Sequence, residues 1–176
     1  LNRLTHSDNF SPCLAYGWEQ INTDGFGDDK NALVTSIGTH NGQLLAGTLN
    51  YSGTQLWRLD GGGWTLDTDF GASISTTVAI NHIYTFNGLT YKGTWDETLG
   101  GGVWRTESST SFAWDPVTLD GFGDPTNKEI MRFVEFNNQL YAGTWNWDSP
   151  GTEIWRSGSG DASSWTQVNT DGFGDG

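Results

Sequence analysis

Three copies of one acidic, glycine-rich stretch hold the residues whose types and spacing suit chemistry. They read "NTDGFGD" at 22–28, "TLDGFGD" at 118–124 and "NTDGFGD" at 169–175. A hard cation such as calcium takes about six to eight oxygens from carboxylates, amides and carbonyls on a Gly-containing loop. The first copy offers Asn22, Asp24, Asp28, Asp29 and Asn31, with Gly25 and Gly27 for the tight turn. Asp124 and Asp175 repeat Asp28 in the other copies. Calcium is therefore the candidate cofactor, although the bidentate Glu and regular alternation of an EF-hand are absent. The competing reading is turn chemistry: glycines supply positive φ, Phe26 plugs between blades of sheet, and Asp24 bonds turn amides.

The two aspartates of the stretch behave differently across a fourth, divergent copy, "DTDFGAS" at 67–73. The first survives everywhere, as Asp24, Asp69, Asp120 and Asp171, and an arginine recurs alongside as Arg3, Arg58, Arg105 and Arg156. A buried guanidinium needs a carboxylate, so this pairing predicts a structural Arg–Asp tie. The second aspartate is lost in the divergent copy, which makes Asp28, Asp124 and Asp175 the ligand or metal candidates.

A second group of candidates follows recurring Gly-Thr pairs at 47/48, 93/94 and 143/144. There stand Asn50 and Tyr51, Trp95 and Asp96, and Trp145, Asn146, Trp147 and Asp148. Flat aromatics beside amides and carboxylates suit sugar rings, by stacking plus hydroxyl hydrogen bonds. The alternative places Trp95 and Trp145 in packing between blades. His6, His40 and His82 share no metal-like spacing, and the single Cys13 reads as a small buried hydrophobe.

These groups need elements to hold them, and the repeat supplies those. Trp18, Trp64, Trp114 and Trp165 recur about every 46 to 51 residues, and Trp-Arg pairs at 57/58, 104/105 and 155/156 fall in register with the Gly-Thr pairs. Each repeat reads as four short strands bounded by Gly, Asn and Asp, the signature of a β-propeller blade. The expected architecture is all-β: one domain over 1–176, with a half blade at 1–23 and full blades at about 32–69, 74–119 and 130–170. Antiparallel geometry puts the acidic turns and the tryptophan loops at one end of the blades. Three and a half blades leave unpaired edges, so a head-to-tail homo-oligomer or a fragment of a longer propeller is expected. Leu1 in place of Met, with no charged-then-apolar leader, reads as a processed protein or a fragment.

The pattern resembles kelch and sialidase-type (Asp-box) propellers, and bacterial propeller repeats of the form "W…TDGFGD…N…LYAGT…EIWRS…W", over almost the whole chain. The resemblance implies a propeller fold. The Asp-box turn is degenerate in "LDGGGW" and "SGSGDASSW", where Asp60 and Asp161 stand at the wrong spacing from Trp. Sialidase chemistry would also need an arginine cluster, whereas all arginines but Arg132 occupy the repeat's own position, as do Tyr91 and Tyr141. The acidic stretch is similar to extracellular calcium loops, which favours an extracellular or cell-surface location by analogy.

Composition narrows the rest. The net charge of −13, from 21 acids against 8 Lys plus Arg, lacks the basic footprint of a nucleic-acid binder. No apolar run approaches membrane-spanning length, so no membrane insertion is expected. With 10 Trp, 9 Phe and 5 Tyr the chain affords a core despite its 25 glycines. The expected function is a non-catalytic binding module for a glycan, with a protein-interaction or structural scaffold second and a sialidase-like glycoside hydrolase third.

Overall fold

The computed structural model describes residues 17–69, 76–146 and 151–175. The fold is all-β, with twelve strands in one antiparallel sheet system. Strands β1 (Leu33–His40), β2 (Gln43–Leu49), β3 (Gln55–Asp60) and β4 (Gly63–Asp69) form the first four-stranded meander. The second comprises β5 (Thr77–Phe86), β6 (Leu89–Asp96), β7 (Val103–Thr106) and β8 (Trp114–Thr118). The third comprises β9 (Asn127–Phe136), β10 (Gln139–Asn146), β11 (Ile154–Ser157) and β12 (Thr166–Gln167). Three successive meanders of this kind are propeller blades. Among the described residues no strand of the third blade pairs with the first, so the arc is open.

Local sequence explains the hairpins. Each first strand turns into its second through Asn41-Gly42, Asn87-Gly88 or Asn137-Asn138, with φ of 46° and 73°, 49° and 77°, and 50° and 57°. Two consecutive left-handed residues make the turn whose twist matches the flanking strands, and Asn and Gly tolerate that backbone best. Each first strand also carries a bulge ahead of its turn, at Thr35, Asn81 and Met131, where the register skips one residue.

The core lies between blades. Leu45 and Leu56 of the first blade pack with Ile80 and Ile83 of the second. A larger cluster joins Tyr91 and Val103 of the second blade to Ile130, Phe133 and Leu140 of the third. Blade two approaches closely because Gly47 and Gly38 present no side chain: a Cβ on Gly47 would stand 2.6 Å from Ile80 Cβ, and one on Gly38 2.5 Å from Ile83 Cγ2. Single bridges, Leu49 to Ala79 and Trp95 to Glu129, link the blades at one end.

The expected half blade lies largely outside the described residues, since these begin at Gly17. Residues 17–23, the described part of the expected half blade, form no strand. Trp18 is fully exposed, and the stretch is tied to the first blade where Trp64 Nε1 donates to Ile21 O at 2.9 Å. No helix among the described residues is long and apolar enough to cross a membrane.

Candidate functional site

The acidic stretches fold into short 3-10 turns, Asp24–Gly27, Gly121–Gly123 and Asp171–Gly174. Their phenylalanines hold left-handed backbone: φ is 57° at Phe26, 65° at Phe122 and 60° at Phe173. Such a φ is uncommon for a bulky residue and carries a strain that tertiary contacts can offset. Two of the three are repaid by stacking. Phe26 lies on Trp57 with ring centroids 5.0 Å apart and meets Trp64 edge-on at 5.1 Å. Phe122 lies on Trp155 at 4.7 Å and beside Trp165 at 5.2 Å. The recurring tryptophans of the third and fourth strands thus form a clamp for the phenylalanine of the preceding turn. Phe173 keeps the same backbone but is 65% exposed.

Five turn carboxylates, those of Asp24, Asp28, Asp120, Asp124 and Asp171, accept from protein donors. Asp28 Oδ1 accepts from Lys30 N at 3.0 Å, while Oδ2 accepts from Asn50 at 3.4 Å and Gln55 at 3.3 Å. Asp124 Oδ1 accepts from Thr126 N and its hydroxyl, at 2.9 and 2.6 Å. Asp120 Oδ1 accepts from Gly123 N and Thr118 Oγ1. Asp24 accepts from Gln20, as Asp171 does from Gln167. Asn22 donates to Thr23 O, and Asp175 is exposed. Among the described residues no three His, Cys, Asp or Glu side chains gather where a metal ion could be held.

Behind the clamp the sequence repeats a buried bond pattern. Gln55 Oε1 accepts from Asn31 at 2.7 Å and from Trp57 Nε1 at 3.1 Å. Glu153 Oε2 accepts from Asn127 at 2.7 Å and from Trp155 Nε1 at 2.6 Å. One acceptor therefore fixes both the clamp indole and the asparagine that closes the turn. Low dielectric makes such a satisfied network rigid.

Two of the recurring arginines, Arg58 and Arg105, form ion pairs, with carboxylates other than Asp69 and Asp120. Arg58 reaches Asp67 at 3.8 Å and caps the Phe112 ring at 4.2 Å. Arg105 crosses to the third blade and meets Asp161 at 2.5 Å, while Asp120 serves its own turn. The guanidinium holds the Asp161 carboxyl below the usual range. Arg156 makes no ion pair with Asp171. The side chain of Asp69 lies outside the described residues. The alternation of strand three points these arginines toward the fourth strand or the next blade, away from the turn that carries the first aspartate.

The tryptophan loops converge on a different feature. Cross-strand register sets Leu33 against Leu49, Leu49 against Ala79, Ala79 against Trp95, Trp95 against Glu129 and Glu129 against Trp145. Residues paired in this way stand side by side on one face. The result is a row crossing all three blades at the end where the turns lie. Aromatic contacts run along it: Tyr51, from the turn after β2, meets Trp95 edge-on at 6.2 Å, and Trp95 meets Trp145 edge-on at 6.4 Å. Tyr51 is 69% exposed and both tryptophans are half-buried.

Glu129 sits between the two tryptophans and is buried, accepting from Asn81 Nδ2 at 2.8 Å. Burial pushes its carboxyl up to about 7, with the Glu97 charge adding to the rise and the Asn81 bond and Arg132 opposing it. Its signal in the sequence is a break of pattern: a carboxylate where the other first strands carry Leu33 and Ala79. The polar partners expected beside the row are otherwise committed. Asp96 is buried and accepts from Thr98 N, Leu99 N and the hydroxyls of Thr76 and Thr77. Asn50 is buried and bonds Ser52 N and Asn31, and Asn146 donates to Thr126. Trp147 and Asp148 lie outside the described residues.

No protein-family model matches the chain, and no curated protein matches it. Among solved structures the chain is similar to a GH74 xyloglucanase from Xanthomonas campestris, with a TM-score of 0.47 and 16% identity over 74% of this chain. It spans 19% of that enzyme's length. It is also similar to an alpha-L-arabinofuranosidase from Clostridium thermocellum, with a TM-score of 0.40 and 12% identity over 81% of this chain and 73% of the other. Likenesses this distant carry no argument about function.

Proposed function

We propose that this protein is a non-catalytic carbohydrate-binding module whose ligand lies along the row of Tyr51, Trp95 and Trp145. The observation that carries this reading is the continuity of the row. Three aromatic side chains from three blades touch in sequence beside the exposed carboxylate of Glu97. Sugar rings present apolar faces to aromatics and hydroxyls to nearby polar groups. Because the three sites run together, the ligand that fits is one extended glycan spanning several sugar units. Trp147 and Asp148, two and three positions after Trp145 in the sequence, are proposed contacts of the same ligand on their sequence position alone. Asn50, Asp96 and Asn146 act as supports that fix the loops.

A scaffold for protein partners is the second reading, favoured by the exposed Ile37 and Phe136 on the outer blade faces. Affinity electrophoresis through gels cast with a panel of neutral and acidic polysaccharides tests the first reading. At least one polysaccharide should retard the wild-type chain and leave Trp95→Ala unretarded. Equal mobility of both in every gel would overturn it.

A further inference from the structure

Every junction between consecutive blades uses the same parts. The bulge in each first strand turns two apolar residues, three apart, toward the preceding blade. In the second blade these are Ile80 and Ile83, and in the third Ile130 and Phe133, all at most 4% exposed. Each pair enters a socket opened by a glycine on the preceding second strand. Ile80 lies against Gly47, and Ile130 against Gly93, whose Cβ would stand 2.6 Å from Ile130 O.

The two ends of the arc carry one half of this junction each. On the first blade the equivalent knobs, Val34 and Ile37, are 48% and 64% exposed. On the third blade the equivalent socket residue, Gly143, has nothing within 4 Å of a built Cβ. Val134 and Phe136 beside it are 55% and 61% exposed. Knob and socket are therefore complementary parts of the same repeated junction, carried at opposite ends of the arc.

The segments next to these faces match as well. "WEQINTDGFGD" (18–28) and "WTQVNTDGFGD" (165–175) differ at two of eleven positions. The first has its phenylalanine in the Trp57–Trp64 clamp, while the second leaves Phe173 exposed in the same backbone conformation. In a junction between copies, the second segment can replace the first with its contacts conserved.

We infer that the open face of the third blade receives the first blade of a second copy, Val34 and Ile37 entering the socket at Gly143. Residues 165–175 of one copy take the place of residues 18–28 of the next. This contact is heterologous, so it propagates head to tail until a ring closes or a copy lacks a free face. Exchange of near-identical segments leaves burial of the knobs as the net driving force. The charge of −13 per copy opposes the approach, so added salt strengthens association.

Light scattering coupled to size-exclusion chromatography tests the contact over about a hundredfold range of concentration. Wild type should shift to species of two or more copies as concentration and salt rise. Ile37→Asp removes the knob and Gly143→Leu fills the socket. Both positions are open in the single copy, so near-ultraviolet circular dichroism should remain that of wild type, and Val34→Asp provides a second knob variant. Each variant alone should stay monomeric, whereas an equimolar mixture of Ile37→Asp with Gly143→Leu should form a one-to-one dimer through its single intact junction. A wild-type chain that stays monomeric throughout overturns the inference. So does self-association that either variant retains, or a mixture that stays monomeric.

Discussion

Lys92 gives the sharpest physical prediction. It stands where the other blades carry Ala46 and Ala142, is fully buried, and holds its ammonium 4.1 Å from the ring centre of Trp114. Burial lowers its pKa to about 7, against the opposing pull of Asp67. In the unfolded chain a lysine titrates near 10.4, so between about 7 and 10 the unfolded state binds more protons. Stability must then rise with pH across that window, by up to about 1.4 kcal/mol per unit. From about pH 7.5 to 9 the gain amounts to roughly 2 kcal/mol. Urea unfolding of wild type and Lys92→Met at both pH values measures it. The variant, which fills the same space without a titrating group, should lose the rise. A slope unchanged in Lys92→Met would refute the assignment. Glu129 acts in the adjoining window with the opposite sign: its raised pKa means the native state retains a proton, so stability falls as pH rises from about 4.5 to 7. Together the two groups place a minimum of stability near neutrality, and Glu129→Gln should flatten its acid side.

Three further outcomes follow from the geometry. Phe26→Ala and Phe122→Ala each open a tryptophan clamp and should lower stability in urea by about 2 kcal/mol, less than the ~3–5 of a fully buried phenylalanine. Phe173→Ala, with no clamp in the single copy, should change it little. Gly93→Ala drives a methyl into Ile130 and should cost about 1–3 kcal/mol by thermal or urea unfolding, whereas Gly143→Ala at the open socket should be neutral within about 0.5 kcal/mol. Because Asp24, Asp28, Asp120, Asp124 and Asp171 are engaged by protein donors, the thermal midpoint in millimolar calcium should match that in chelator. A cation bound at about 100 times its dissociation constant would instead add about 2.7 kcal/mol.

The blades were legible in the sequence because one pattern recurs: Gly-Thr, Trp-Arg and a strand-opening tryptophan in fixed register. The role of the phenylalanine was half legible. A plug was one of two readings of the stretch, but the partners of Phe26 and Phe122, Trp57 with Trp64 and Trp155 with Trp165, come from the blade that follows. Arg105 and Asp161 lie 56 positions apart and meet only because one blade packs on the next. Spacing along the chain carries no trace of that contact. Glu129 and Lys92 were missed for a related reason. Each departs from the repeat at a site whose burial depends on cross-strand register, and an isolated charge in a strand otherwise reads as solvent-facing. Asn50 and Asp96 looked like ligand contacts because loop composition shows hydrogen-bonding capacity but not how much of it the loop itself consumes.

The aromatic row is the centre of the functional account, and calorimetry tests it most directly. Wild type, Trp95→Ala and Trp145→Ala would be titrated with an oligosaccharide cut from whichever polysaccharide retards the chain. Loss of one stacking ring should weaken binding about tenfold or more, equivalent to about 1.4 kcal/mol. Shortening the oligosaccharide to a single sugar should cost affinity in wild type more than in either variant. Undiminished affinity in both variants would contradict the account and move the ligand off this face.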